Sequence, residues 1–430
     1  MATRTERVRR SESSRRRRAL GARRAPRTSV RPRGASPLGL GAAQLVAVEV
    51  AVAAALLAFV RSVWLGAVVA LLALVVVLLS LGRVSGSWAY LHLRTRRRFR
   101  RRSASRTGEV RDQRLAGLAG LLPEVEVQEA LDRSGARIAV LFDGRAWSTV
   151  IAVEPTGVVV GAEAADAGVP VELLRGVLDD PEQRVAAVQL VTVAVPSPAA
   201  RLPVSEDPAA FSYASLLADA DATGLVSHRG TWVALRLEPQ RCPEAVERRG
   251  GGAEGARRTL LGATAQLVAR LDAAGVATSA LDAPAVVAAL LEAAAAEGTS
   301  RETPGQDAVP TPPESGEERW DHWESGGVAH VSWAVRQFGR PGDASAQRLA
   351  DVQATRASVV AHSVTFLPTE TSEVLVRAFV RVAAPLPVLT DALAQVAATA
   401  GQAGIRLRRL DGAQAPAVLA TLPLAPGGAS

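Results

Sequence analysis

Lysine and asparagine are absent from the 430 residues, and all 50 basic side chains are arginines. Without lysine the chain cannot form a Schiff base, complete a Walker phosphate-binding loop or use a Ser–Lys catalytic pair. The arginine bias, with abundant Ala, Val and Gly, indicates a GC-rich genome. The lone cysteine, Cys242, excludes an internal disulfide and a cysteine-rich zinc site, which fits a reducing compartment.

The net charge of +8 is unevenly distributed along the chain. Residues 1–115 contain 25 arginines against 5 acidic residues, whereas residues 116–430 contain 25 arginines against 37. The first part therefore has a net charge of +20 and the rest of −12. Because nucleic-acid binding needs a concentrated basic face, the acidic body argues against a nucleic-acid partner.

Two apolar segments, residues 38–60 and 62–81, are separated only by Arg61. Each has about 20 residues, which is enough for a helix to cross roughly 30 Å of hydrocarbon. The first contains Gln44 and Glu49, which are costly in lipid. One long apolar helix, or a signal peptide followed by an anchor, is the alternative. The late start and the second apolar segment favour a two-helix transmembrane hairpin.

Arginines on both sides of the apolar segments predict their orientation. Thirteen lie within residues 1–34 and eleven within 83–114. By the positive-inside rule, we expect a multi-pass protein of the cell (inner) membrane whose N-terminus and C-terminal domain are cytoplasmic. The basic flanks are expected to meet anionic lipid head groups. Glu49 either faces a partner helix at an assembly surface or is tolerated, protonated, in a weak span.

Composition divides the chain into six segments. Helix-like and strand-like patterns alternate in the body, which predicts an α/β (or α+β) cytoplasmic domain after the hairpin. The predicted segments are a disordered basic tail (1–36), two transmembrane helices (37–82), a basic membrane-proximal helix or linker (83–122), a first α/β part (123–298), a disordered Pro-rich linker (299–318) and a second α/β part (319–430).

Local patterns predict several elements of the body. Hairpins are expected over residues 137–155 and 357–384, because β-branched runs flank short turns. Apolar spacing predicts a helix over residues 256–274, with Thr264 as the polar member of its apolar stripe. A second helix over residues 282–298 is expected to begin with Asp282 as its N-cap.

The stretch VERRGGGAEGARR, residues 246–258, raises the question of a phosphate site. Gly250, Gly252 and Gly255 have the G-x-G-x-x-G spacing of a dinucleotide-binding turn. However, two prolines separate the stretch from the preceding predicted strand, and Glu254 would lie beside the phosphate. We interpret the glycines as a tight entry into a helix, where positive φ or close packing is needed.

Four arginines crowd this helix entry in an otherwise acidic body: Arg248, Arg249, Arg257 and Arg258. Positive charge is unfavourable at a helix N-terminus. We therefore expect acidic residues, from this domain or from a partner subunit, to meet them. Together with Glu49, these arginines are the candidate assembly contacts.

Asp219 and Asp221 form a D-x-D pair, which in many glycosyltransferases holds a divalent metal and a nucleotide-sugar diphosphate. An acidic helix end gives the same pattern. The five histidines lack metal-binding spacing, and no G-x-S-x-G elbow is present. We therefore predict no catalytic residues, no metal and no cofactor. The enzymatic alternative is a membrane-anchored glycosyltransferase-like enzyme that uses the D-x-D pair.

Three stretches carry a resemblance to a known family. They are IAVLFDGRAWSTVIAV near residue 140, the segment 235–276 with its Arg-Gly-Gly-Gly run, and ERWDHWESGGVAHVSWAV over residues 318–335. With two apolar segments and arginine flanks before them, they resemble the EccE family of the actinobacterial type VII (ESX) secretion system.

The resemblance implies a non-enzymatic structural subunit that supports protein export. EccE-like proteins lie in the inner-membrane core complex with EccB, the EccC ATPase and EccD, and they have no established catalytic residues. Their cytoplasmic domain has been compared with glycosyltransferase-like folds, which keeps the D-x-D alternative open.

Overall fold

The computed structural model describes residues 42–81, 83–84, 87–104, 110–154, 169–180, 183–196, 226–295, 316–338, 352, 357–369 and 373–427. They fall into two compact units, one ending at Leu81 and one formed by the described residues that follow it. The first unit contains helices α1 (Ala42–Arg61) and α2 (Val63–Leu81), which pack against each other.

Helices α1 and α2 correct the prediction of a transmembrane hairpin. Within the part of the chain that the structure describes, no helix combines the length and the apolar character that crossing a membrane requires. The predicted hairpin and its multi-pass topology are therefore wrong. Helix α1 contains an exposed Glu49. Apolar composition identified two helices, but it does not distinguish a span from a helix that packs on a partner.

The second unit contains seven helices and fourteen strands among its described residues. Strands β1 (Arg83–Val84) and β2 (Ser87–Trp88) form a small antiparallel pair. The helices are α3 (Ala89–Ala104), α4 (Val171–Leu178), α5 (Pro243–Arg248), α6 (Gly252–Ala273), α7 (Ala283–Ala294), α8 (Leu386–Gln402) and α9 (Gln414–Leu419).

Twelve strands form one antiparallel sheet, with the order β3-β4-β5-β7-β6-β12-β13-β11-β10-β9, and with β8 on β5 and β14 on β11. The strands are β3 (Glu126–Leu131), β4 (Arg137–Phe142), β5 (Trp147–Val153), β6 (Ala187–Pro196), β7 (Val226–Leu237), β8 (Thr278–Ala280), β9 (Glu317–Glu318), β10 (Trp323–Ser325), β11 (Val328–Gln337), β12 (Val359–Pro368), β13 (Val374–Pro385) and β14 (Arg406–Arg409). The α and β content of the predicted fold class is therefore present, and both predicted hairpins are confirmed.

The sheet consists of two halves that share an order of elements, apart from α4 and α5, which have no described counterpart in the second half. In the first half, β3, β4 and β5 precede the hairpin β6–β7, and then α6, β8 and α7 follow. In the second half, β9, β10 and β11 precede the hairpin β12–β13, and then α8, β14 and α9 follow. Strand order reverses where β6 lies antiparallel to β12, as expected for two similar units related by a twofold axis.

The pairing register is the same in both halves. The fifth strand of each half lies between the third and fourth strands of that half: β7 between β5 and β6, and β13 between β11 and β12. Matching trios of paired residues are Val150–Ala234–Gln189 in the first half and Ser332–Arg381–Ala361 in the second. The two halves therefore share a backbone plan, but a buried arginine replaces an alanine at one position.

Helices cover both faces of the sheet. The apolar side chains of α4, α5 and α6 pack on one face of the first half, and those of α8 pack on the same face of the second half. Helix α7 and the C-terminal segment 420–427 pack on the opposite face. Alternating strand residues supply both cores, because successive side chains of a strand point to opposite faces.

At one edge of the sheet, side chains bind both backbone groups of Val127 on β3. The Val127 N–H donates to Asp112 Oδ2 (3.0 Å), and Arg114 donates to the Val127 carbonyl. Arg114 also donates to Asp112 (2.7 Å) and, with the backbone bonds, holds the pKa of that carboxyl at about 2. Occupied backbone groups cannot pair with a strand from another chain.

Candidate functional site

The glycine-rich turn joins two helices. Helix α5, which the sequence did not predict, begins at Pro243, a residue type that suits the first helical turn. Gly250, Gly251 and Gly252 have φ values of 109°, 69° and 55°. The Gly251 N–H donates to the Val246 carbonyl (3.0 Å), and a side chain on Gly255 would collide with the same carbonyl. The glycines thus provide positive φ and close helix packing.

The four candidate arginines lie at two different helix ends. Arg248 and Arg249 end α5, where the negative end of the helix dipole favours positive charge. Arg257 and Arg258 lie near the start of α6, and Glu254 forms ion pairs with both, the second at 2.9 Å. The hydrogen bond from Arg257 is the main reason why the pKa of Glu254 is lowered. An acid from the same domain therefore meets two of the four arginines.

The other candidate residues are not brought to this turn. Glu49 lies exposed on α1 in the first unit. Asp219 and Asp221 lie outside the described residues. Among the residues that the structure describes, no group of three or more His, Cys, Asp or Glu side chains could hold a metal ion.

Helix α3 docks on the second half of the sheet through one face. One face of the helix is partly buried between positions 90 and 102. Its residues repeat at intervals of three and four and are His92, Thr95, Phe99 and Arg102. The rings of His92 and Phe99 meet the Trp320 ring edge-on, at centroid distances of 5.2 and 5.5 Å.

Arg102 fixes the end of α3 by a bidentate ion pair. Its Nε and Nη2 each lie 3.2 Å from one oxygen of Glu318, and Nη2 also donates to the Gly412 carbonyl (2.6 Å). The Glu318 side chain is fully buried and accepts the Ala415 N–H as well (3.1 Å). A side chain on Gly412 would collide with Trp320 and Thr95. We call Glu318, Trp320 and Gly412 the α3 socket.

The outward side of α3 is strongly cationic. The residues of the outer stripe, all exposed, are Arg94, Arg96, Arg97, Arg98 and Arg100. No described acidic residue forms an ion pair with these five arginines. The helix therefore divides into a docked face that is bound to the socket and a free cationic face.

A buried polar cluster lies near the socket, where the second half differs from the first. Arg381 is 1% exposed and donates to His330 Nδ1 (2.9 Å) and to the carbonyls of Ala293 and Ala294 at the end of α7. Burial lowers the pKa of Arg381 to about 9 and, with Arg381, lowers that of His330 far below its usual value. His330 is therefore neutral and accepts at Nδ1. Arg381 joins the second half of the sheet to a helix of the first.

Sequence analysis missed both the socket and this cluster. The spacing of His92, Phe99 and Arg102 is a readable signal for one docked helix face. Trp320 packs against that face, whereas Trp323 is buried against His330, at a ring distance of 4.9 Å. Local sequence patterns do not indicate the role of Arg381, because its partners, His330 and two backbone carbonyls of α7, are far away in sequence.

These features define an α/β protein of two similar halves that presents charged helix surfaces. Residues 225–335 match the family model described as "Putative type VII ESX secretion system translocon, EccE". The match confirms the resemblance to the EccE family, and it spans the glycine-rich turn, α6, α7 and the Trp320 loop. A search of curated proteins finds no significant match to the chain.

Proposed function

We propose that the chain is a non-enzymatic structural subunit of an actinobacterial type VII secretion translocon. The match over residues 225–335 carries the proposal. The matched segment contains the arginine-rich helix entry, and its conspicuous residues are occupied in packing: the glycines in a helix–helix turn and Trp323 in the core. A scaffold requires rigid, charged surfaces, and the described residues of this segment provide them.

The proposed partners are the other membrane subunits of such a translocon, EccB, the EccC ATPase and EccD. Arg248 is the best candidate contact, because it is exposed and forms no ion pair with a described residue. Glu49, exposed on α1, is a second candidate. The proposed location is the cell membrane, where the basic residues before the body would meet anionic lipid head groups.

Affinity purification from membranes in mild detergent tests this function. The tagged chain should bring down an ATPase-containing complex. Arg248→Glu should reduce the recovered partners several-fold, because it reverses the charge of an exposed contact. Arg133→Glu, on an exposed turn between β3 and β4, makes the same charge change and should leave recovery unchanged. Recovery of the chain alone, free of partners, would contradict the proposal.

A further inference from the structure

We propose that the outer stripe of α3 binds an anionic membrane surface and that the socket orients the helix for this contact. The inference rests on the proposed membrane-associated function and identifies the residues that serve it. It starts from the division of α3 into a docked face and a cationic face.

The geometry places the outer stripe opposite the socket. Successive residues of a helix are rotated by about 100°. On that scale, Arg97 points directly away from the face formed by Thr95, Phe99 and Arg102. The outer stripe therefore surrounds the solvent side of a helix that is fixed along its length. A fixed row of arginines loses less conformational entropy on binding than a flexible tail does.

Charge and sequence neighbours favour a lipid surface over other polyanions. Helices α1 and α2 expose large apolar side chains, among them Leu57, Trp64 and Leu72. A bilayer interface accommodates apolar groups and arginines side by side. The net charge of −12 over residues 116–430 would repel nucleic acid and would turn the body away from an anionic surface.

Arg102 belongs to the positioning apparatus rather than to the stripe. Its side chain forms an ion pair with Glu318, whose carboxylate is fully buried. Glu318→Gln makes the protein more positive by one charge. Simple attraction would then strengthen lipid binding. If the socket orients the stripe, the same change weakens binding, because Arg102 loses its charged partner and α3 loosens. Charge attraction alone therefore predicts stronger lipid binding by Glu318→Gln, whereas orientation by the socket predicts weaker binding.

Limited trypsin digestion of the full chain gives a local measurement. Trypsin cleaves only at arginine here, because the chain has no lysine. Cleavage after the outer-stripe arginines is quantified by mass spectrometry relative to cleavage after Arg133, which lies beside β3 at the opposite edge of the sheet. The vesicles are phosphatidylcholine alone or with about one-third phosphatidylglycerol.

Anionic vesicles should slow outer-stripe cleavage by about tenfold at low salt, and high salt should abolish the effect. Arg97→Gln removes the cleavage site at position 97, so its effect is measured at the other four outer-stripe arginines. The protection there should fall several-fold, and cleavage there without vesicles should be unchanged. Glu318→Gln should also reduce the protection, although it should raise cleavage without vesicles. Circular dichroism should be unchanged for Arg97→Gln.

Equal cleavage with both vesicle types would overturn the proposal. Protection by polyglutamate or duplex DNA as strong as protection by vesicles would overturn the membrane as the partner. Stronger protection in Glu318→Gln would overturn the positioning role. None of these outcomes depends on recovery of translocon subunits, so the inference and the proposed function fail separately.

Discussion

A buried threonine on α6 is satisfied in part by a partner that is distant in sequence. Thr264, the polar member of the predicted apolar stripe of α6, is fully buried, and its hydroxyl lies 2.7 Å from that of Thr149 on β5. Thr264 also donates to the Leu260 carbonyl (2.9 Å), so Thr149 is the donor of the pair. The threonines explain why a polar residue interrupts an apolar stripe.

The threonine pair gives a prediction at the residue scale. Thr264→Val leaves the Thr149 hydroxyl buried without an acceptor, so the free energy of unfolding should fall by about 1–3 kcal/mol. Thr149→Val should lower the free energy of unfolding by less, because the Thr264 hydroxyl still donates to the Leu260 carbonyl. The double valine variant should be more stable than Thr264→Val alone. Urea unfolding of the four proteins measures these differences, and simple additivity would refute the pairing.

At the scale of elements, sequence patterns predicted helices and hairpins but not their ends or environment. The helix predicted over residues 256–274 is present as α6, and Asp282 caps α7 by accepting the Ala285 N–H (3.0 Å). Helix α5 was not predicted, although Pro243 is of a residue type that suits a first helical turn. Apolar composition predicted the helices α1 and α2 but not their environment, because an apolar segment can form a helix whether or not it crosses a membrane.

The glycine-rich turn gives a prediction at the element scale. Gly251 has φ 69° and ψ 172°, a conformation that alanine tolerates poorly. Gly251→Ala and Gly255→Ala should each lower the free energy of unfolding by about 1–3 kcal/mol, the second through a clash with the Val246 carbonyl.

Gly262→Ala, in the same helix, is the matched control. A Cβ there meets no atom within 4 Å, so this change should stabilise the protein by about 0.5–1 kcal/mol. Guanidinium unfolding compares the three variants. Unchanged stability of Gly251→Ala and Gly255→Ala would contradict this account of the turn.

At the scale of the whole molecule, the order of strands could not be predicted. Pairing of β6 with β12 joins residues far apart in the chain, and local patterns do not specify such partners. The similarity of the two halves was hidden because they share register rather than residues. Ala234 and Arg381 hold equivalent places, and only their strand neighbours reveal it. The family, by contrast, was recognisable from contiguous motifs.

The whole-molecule account is that the chain works by holding partners rather than by chemistry. Protein export by cells that carry the Asp219→Ala, Asp221→Ala double variant in place of the native chain tests this most directly. A scaffold predicts export and recovery of the translocon equal to those of the native chain. A translocon that assembles fully but loses export in the double variant would contradict the account, because the carboxylates would then serve a reaction.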